Sequence, residues 1–106
     1  MAIPVQISYR DMQHSEALDQ LIMRELSKLE RYYDRISGAR VLVEHAYRRS
    51  GAPFHARIIL NVPGEDIFIN REEAGAEGAF KDAVLAIRSA FRKAKRQLQE
   101  YVRVRA

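Results

Sequence analysis

The residues best suited to do chemistry are lysines and arginines in the last quarter of the chain, and that chemistry is phosphate binding. Residues 81–106 contain eight Lys/Arg and two Asp/Glu, although the net charge of the whole chain is only +4. Arginine binds phosphate bidentately, and lysine binds it as a point charge. On a helix, six of these residues share about one third of the circumference. We call them the basic rail: Lys81, Arg88, Arg92, Lys95, Arg96 and Arg103.

A shorter basic flank occurs earlier in the chain, where Arg24, Lys28 and Arg31 share one side of another predicted helix. If this flank turns toward the basic rail, the two helices form a basic groove. Such a surface suits a polyanion. Nucleic acid is favoured over a membrane, because the apolar face of the helix that carries the basic rail is expected to pack on the core. No aromatic RNA-binding motif is evident, which favours double-stranded or structured RNA over sequence-specific reading of single strands. The alternative is that both faces are simply solvated.

Three histidines are the other candidates for a site. His14 stands at a helix entry, whereas His45 and His55 lie on two consecutive predicted strands and could be cross-strand neighbours. No Cys, Asp or Glu stands near them at a spacing typical of a metal motif. We therefore expect surface or sheet histidines, with no metal and no cofactor.

The remaining candidate is a carboxylate site in the glycine-containing segment 72–79, formed by Glu72, Glu73 and Glu77. This segment offers no apolar wall to raise the pKa of a carboxyl group, so a solvated, mobile loop is favoured. The chain has no cysteine, no GxSxG motif and no glycine-rich phosphate loop. We expect neither an enzyme nor a small-molecule substrate.

The composition is typical of a soluble globular protein, with 47% hydrophobic and 30% charged residues. A chain of 106 residues can bury a core without disulfides or metals, so residues 1–106 are predicted to form a single domain. No apolar run is long enough to span a membrane, and the N-terminus carries no export signal. We expect a cytoplasmic protein without a membrane partner.

Hydropathy patterns place these residues on six elements. Alternating apolar residues predict strands over residues 3–10, 39–48, 54–62 and 65–71, and Pro63-Gly64 fits a type II turn between the last two. Ser15 is a predicted N-cap for a helix that runs to Tyr33, with Glu25 at the margin of its apolar stripe, within reach of water or a cation. The second helix spans residues 81–105, and its apolar stripe lies beside the basic rail: Val84, Ile87, Phe91, Ala94, Leu98 and Val102.

The order β-α-β-β-β-α predicts an α+β fold. The first helix is long enough to make strands one and two parallel, and the other strands follow as an antiparallel meander. One apolar face per strand and two amphipathic helices predict a two-layer sandwich: a four-stranded mixed sheet with both helices on one face. Leu42, Ile59 and Phe68 then point away from the helices and could form a patch on the open face.

Three segments at matching separations resemble the ribosome hibernation-promoting factors, also called ribosome-associated translation inhibitors or sigma-54 modulation proteins. They read LSKLERYYDRI, PFHARIILNVPGEDIFINRE and DAVLAIRSAFRKAKRQLQEY. The resemblance covers essentially the whole chain and looks like a short form of the family. It implies a fold akin to double-stranded-RNA-binding domains, a role in the stress response, and binding to the small ribosomal subunit in the channel for tRNA and mRNA. Translation is then blocked by occlusion, without chemistry.

The resemblance also implies which basic residues face rRNA: Lys28, Arg31, Arg88, Arg92, Lys95 and Arg96. Two positions depart from the family. Val84 stands where the family usually has an aromatic residue, and Glu25 stands where it tends to have a base, although Arg24 is adjacent. Both departures affect individual contacts and not the fold.

The leading hypothesis is therefore a hibernation or translation-inhibitory factor whose basic helix flanks contact rRNA, and which is a monomer off the ribosome. The alternative is a protein-interaction module that uses the open sheet face or a strand edge, with the basic helix only a solvated face. A small enzyme would need a pocket lined by His45, His55 and a carboxylate.

Overall fold

The computed structural model describes residues 3–45, 53–73 and 79–105. The predicted order of elements is confirmed: β1 (Val5–Arg10), α1 (Glu16–Tyr32), β2 (Gly38–His45), β3 (Phe54–Val62), β4 (Glu65–Glu73) and α2 (Ala79–Arg105).

The four strands form one mixed sheet in the order β1-β2-β3-β4. β1 pairs with β2 in parallel, and the other two pairings are antiparallel, as predicted. The turn between β3 and β4 contains Gly64 with a φ of 86°, the left-handed conformation that glycine adopts without steric cost. α1 begins where Ser15 accepts a hydrogen bond from the Leu18 amide at 3.2 Å, which confirms the predicted N-cap.

Several boundaries differ from the predictions. β1 begins at Val5, two residues after the predicted start, and α2 begins at Ala79, two residues before it. β4 continues through Glu73, so Glu72 and Glu73 belong to a strand and not to the predicted loop. The prediction of mobility for the rest of that loop, the position of Glu77 and the predicted end of the second strand at residues 46–48 lie outside the described residues.

One hydrophobic core lies between the sheet and the two helices. Alternate residues of the strands face it, as Val41 and Val43 do in β2 and Ala56 and Ile58 do in β3. Among the described helices, none is long and apolar enough to cross a membrane.

The buried face of α2 is rotated from the predicted apolar stripe. Ile87, Phe91, Ala94 and Leu98 are buried as expected, but Val84 and Val102 are only partly buried. The buried face also includes three alanines and one aromatic residue on the side of the stripe that is farther from the basic rail: Ala83, Ala86, Ala90 and Tyr101. On a helical wheel this moves the centre of the buried face by roughly 50° away from the basic rail. The rail therefore points almost directly away from the sheet.

Candidate nucleic-acid interface

The basic rail is a continuous exposed surface along α2. All six of its residues are exposed, and α2 extends over 27 residues, which corresponds to about 40 Å of helix. Within the described residues, Arg103 alone among them has an acidic partner, Glu100, three residues away. The hydrogen bond from Arg103 holds the pKa of Glu100 below its usual value. Five cations of the rail thus have no acidic partner in the described part of the chain.

Four cationic side chains converge on a small cavity at the outer edge of the rail. The cavity has a volume of about 210 Å³ and is lined by Arg71, Ser89, Arg92, Lys93 and Arg96. Nε of Arg71 donates a hydrogen bond of 2.9 Å to Oγ of Ser89, which is only 5% exposed. This bond ties an arginine of β4 to the helix that carries the rail. Among the described residues that line the cavity none is acidic, and this set of side chains favours an anion such as a phosphate group.

The basic flank of α1 is less uniform than the rail. Arg24 and Arg31 are exposed, but Nζ of Lys28 donates to Oε2 of Glu25 at 2.9 Å. The Glu25 side chain is 19% exposed, which confirms its predicted place at the margin of the apolar stripe, with a cation as its partner. Glu25, which stands where the family tends to carry a base, therefore neutralises the charge of Lys28.

Arg31 lies in surroundings different from those of the rail. It lines a separate cavity of about 580 Å³ together with Ile3, Met23, Glu30 and Asp34 among other residues, and no rail residue lines that cavity. The structure thus gathers Arg92 and Arg96 at one site but does not gather Arg31 with them. The predicted groove between the two helices stays a prediction.

A family model for "Sigma 54 modulation protein / S30EA ribosomal protein" matches residues 5–105. The chain belongs to this family. The match takes in every described element and confirms the resemblance inferred from the three sequence segments. It places the chain among ribosome-associated proteins.

Solved structures agree with this assignment at the level of the fold. A ribosomal subunit interface protein from Coxiella burnetii is similar with a TM-score of 0.76 at 18% identity, covering 93% of this chain and 97% of that one. The N-terminal domain of Thermus thermophilus Protein Y is similar with a TM-score of 0.74 at 22% identity, covering 95% and 99%. No curated protein sequence matches the chain.

Two of the four cationic residues that line the 210 Å³ cavity, Arg71 and Lys93, were not among the predicted site residues. Lys93 falls outside the sector of the helical wheel that defines the rail, although it is adjacent to Arg92 and three residues before Arg96. Arg71 comes from a strand, and only its alternation with Ile67 and Ile69 indicates that it faces the helices. A wider sector of the helical wheel would have included Lys93, and the alternation of β4 would have placed Arg71 on the side of the helices.

His14 has a structural role at the start of α1. Its Nε2 lies 2.5 Å from Oδ2 of Asp19, whose Oδ1 accepts a 2.7 Å hydrogen bond from the Tyr9 hydroxyl. Burial raises the pKa of Asp19, but the hydrogen bonds from Tyr9 and His14 lower it, and the net shift is downward. Burial and the bond to Asp19 raise the pKa of Tyr9. The cluster joins β1 to the first turn of α1.

His45 and His55 are not cross-strand neighbours, a pairing that the sequence left open. The register pairs His45 with Phe54 and His55 with Glu44, so the two histidines project from opposite faces of the sheet. The His45 ring stacks on Phe54 with centroids 4.2 Å apart. This separation removes the pocket that an enzyme with paired histidines would need.

His55 lies instead between two glutamates on the open face. Its Nε2 is 2.7 Å from Oε2 of Glu72, and its Nδ1 is 3.8 Å from Oε1 of Glu44, beyond hydrogen-bonding distance. Among the described residues, no group of three or more His, Cys, Asp or Glu side chains has an arrangement that could hold a metal ion.

Proposed function

We propose that the protein is a cytoplasmic, non-enzymatic hibernation factor that binds the small ribosomal subunit through rRNA and occludes the channel for tRNA and mRNA. Residues 1–106 act as a single ribosome-binding domain, without a cofactor, and as a monomer off the ribosome. Family membership supports association with the ribosome, and the basic surface of α2 supports rRNA as the partner.

The observation that carries the proposal is the cavity formed by Arg71, Arg92, Lys93 and Arg96 beside the exposed rail. Phosphate contacts supply most of the affinity of proteins that recognise RNA by shape. The hydrogen bond between Arg71 and Ser89 holds one of these cations in place, so less of the side-chain freedom of Arg71 is lost on binding. The predicted rRNA-contacting residues outside it, Arg24, Arg31, Lys81, Arg88 and Lys95, extend the surface. The paired residues Lys28 and Arg103 contribute less.

Co-sedimentation with purified small subunits tests the proposal. The double variant Arg92→Glu, Arg96→Glu removes two phosphate contacts, each worth about 0.7 to 0.9 in the slope of log K against log salt. We expect affinity at 0.1 M salt to fall by at least about 25-fold and the slope to become shallower by about 1.4 to 1.8.

The matched control is Arg10→Glu, Arg35→Glu, which reverses two exposed arginines outside both helices. Under the proposal this control keeps its binding to small subunits. If the control loses binding while the helix variant keeps it, the cations of α2 do not contact rRNA, and the rRNA proposal is refuted. Sucrose-gradient profiles of translating ribosomes with and without the protein then test occlusion separately.

A further inference from the structure

The open face of the sheet carries an exposed aromatic ring. Phe68 in β4 is 66% exposed, the highest value among the exposed large hydrophobic side chains of the described residues. It lies opposite Ile59 of β3, which is half-buried, so its cross-strand neighbour on this face is apolar. The sequence pattern groups Phe68 with Leu42 and Ile59 as an apolar patch, but Leu42 and Ile59 are both half-buried. The accessible part of the patch is therefore the phenyl ring.

Two arginines adjoin this ring. Arg57 lies two residues before Ile59 and is thus the diagonal neighbour of Phe68, at a distance typically of about 7–8 Å. Arg40 lies opposite Ile59 on β2 and is in turn the diagonal neighbour of Arg57. Both arginines are exposed, and neither has an ion pair or hydrogen bond from its side chain in the described part of the chain.

The acidic residues of the same face are engaged elsewhere. Glu44 lies 3.8 Å from Arg10, and Glu72 lies 2.7 Å from His55. Asp66 accepts a 2.9 Å hydrogen bond from the neutral amide of Asn61 and keeps its charge, but it lies toward the turn, on the other side of Phe68 from Arg57. The middle of the face therefore has two neighbouring guanidinium groups of like charge beside an open ring, a combination that favours an anionic ligand with a flat apolar part.

We propose that this face, formed by Phe68, Arg57 and Arg40, is a second RNA-binding surface, which takes single-stranded RNA. One base stacks on Phe68, and the adjoining phosphates pair with the two arginines. Single-stranded RNA presents a flat base and a phosphate at every nucleotide, whereas an acidic peptide offers flat rings only where it has aromatic residues. The three side chains come from three different strands, so no linear motif reveals them. The surface lies on the side of the sheet opposite the two helices and is independent of the rail.

Fluorescence anisotropy with two probes tests the proposal: a labelled 12-nucleotide oligouridine and a labelled RNA duplex of about 16 base pairs. We expect Phe68→Ala to weaken oligouridine binding by about 5- to 150-fold, the loss expected for one stacked base, and to leave duplex binding unchanged. Phe68→Trp should bind oligouridine at least as well as the wild type. Phe80→Ala is the matched control, because it removes another exposed phenyl ring, 56% exposed, from the start of α2.

The arginines give a second readout. Arg40→Gln and Arg57→Gln should each reduce the salt slope for oligouridine by about 0.7, the value for one phosphate contact on a single strand. The proposal is overturned if Phe68→Ala binds oligouridine like the wild type, or if Phe80→Ala weakens it equally. It is also overturned if Phe68→Leu retains full binding, because the ring would then contribute only apolar area, as in a protein-binding surface. All substituted side chains are exposed, so circular dichroism should show unchanged folding.

Discussion

Replacing Glu25 by glutamine should strengthen binding to the small ribosomal subunit. Glu25 accepts a 2.9 Å hydrogen bond from Nζ of Lys28, so its carboxylate neutralises a base on the proposed rRNA-facing flank of α1. Glutamine has the same size and keeps an oxygen for this bond, but it carries no charge. Lys28 is then available to a phosphate, and a negative charge that repels the phosphate backbone is removed.

The expected gain follows from counterion release. One additional phosphate contact adds about 0.7 to 0.9 to the slope of log K against log salt, which corresponds to about 5- to 8-fold tighter binding at 0.1 M salt. The gain should shrink to about 2-fold at 0.4 M. The cost to stability is small, because an exposed pair three residues apart on a helix contributes about 0.3–0.5 kcal/mol and the Lys28 side chain is 63% exposed.

Equilibrium binding to labelled small subunits at four salt concentrations measures both affinity and slope. Glu16→Gln is the matched control, because it changes the net charge by the same amount in the exposed first turn of the same helix, about 13 Å of helix away from Glu25. If the two variants tighten binding equally, only net charge matters and Lys28 is not a contact. If Glu25→Gln binds no more tightly than the wild type, this side of α1 does not face rRNA.

Three further predictions concern single side chains. Ser89→Ala removes the acceptor for Nε of Arg71, so we expect a loss of about 1 kcal/mol in urea unfolding and weaker small-subunit binding at low salt; unchanged binding would show that Arg71 needs no positioning. Gly64→Ala meets no atom within 4 Å, but its φ of 86° is unfavourable for alanine, so stability should fall by about 1 kcal/mol with binding unchanged. Asp19 has a lowered pKa, so it stabilises the fold above its unfolded pKa of about 3.9 and loses this contribution as pH falls through the folded value. Asp19→Asn should therefore flatten the acid limb of the free energy of unfolding as pH falls through and below the unfolded pKa, and an unchanged limb would contradict the role given to the Tyr9 and His14 hydrogen bonds.

The element order and sheet topology could be predicted because the core-facing residues of each strand recur at every second position, despite the apolar Leu42, Ile59 and Phe68 on the other face, and because each connection has few solutions. In β3, Phe54, Ala56, Ile58 and Leu60 are all buried, and a shift of one residue in register would move all four side chains away from the core. The Pro63-Gly64 turn then determines how β4 returns. The parallel pairing of β1 and β2 follows from the helical crossover between them.

The composition of the basic site was harder to predict because it depends on the facing of several elements at once. Arg71 is distant in sequence from the residues it joins, and its partner Ser89 has no feature that distinguishes it from other helical serines. The histidines show the same difficulty on a smaller scale. A one-residue difference in register decides that His55 meets Glu44 on the open face while His45 stacks on Phe54 on the other.

The rotation of α2 explains why the site lies where it does. The predicted stripe runs from Val84 to Val102, but the buried face of the helix leaves these two valines partly exposed and includes three further alanines beside Ile87, Phe91 and Leu98. Small side chains let the helix lie close to the strands, so the alanine face becomes the centre of the contact. This choice turns the basic rail away from the sheet and brings Ser89 and Lys93 to the β4 side, where Arg71 completes the cavity. The position of the proposed phosphate-binding cations thus depends in part on alanines, whose small size lets the helix lie on the sheet in this orientation.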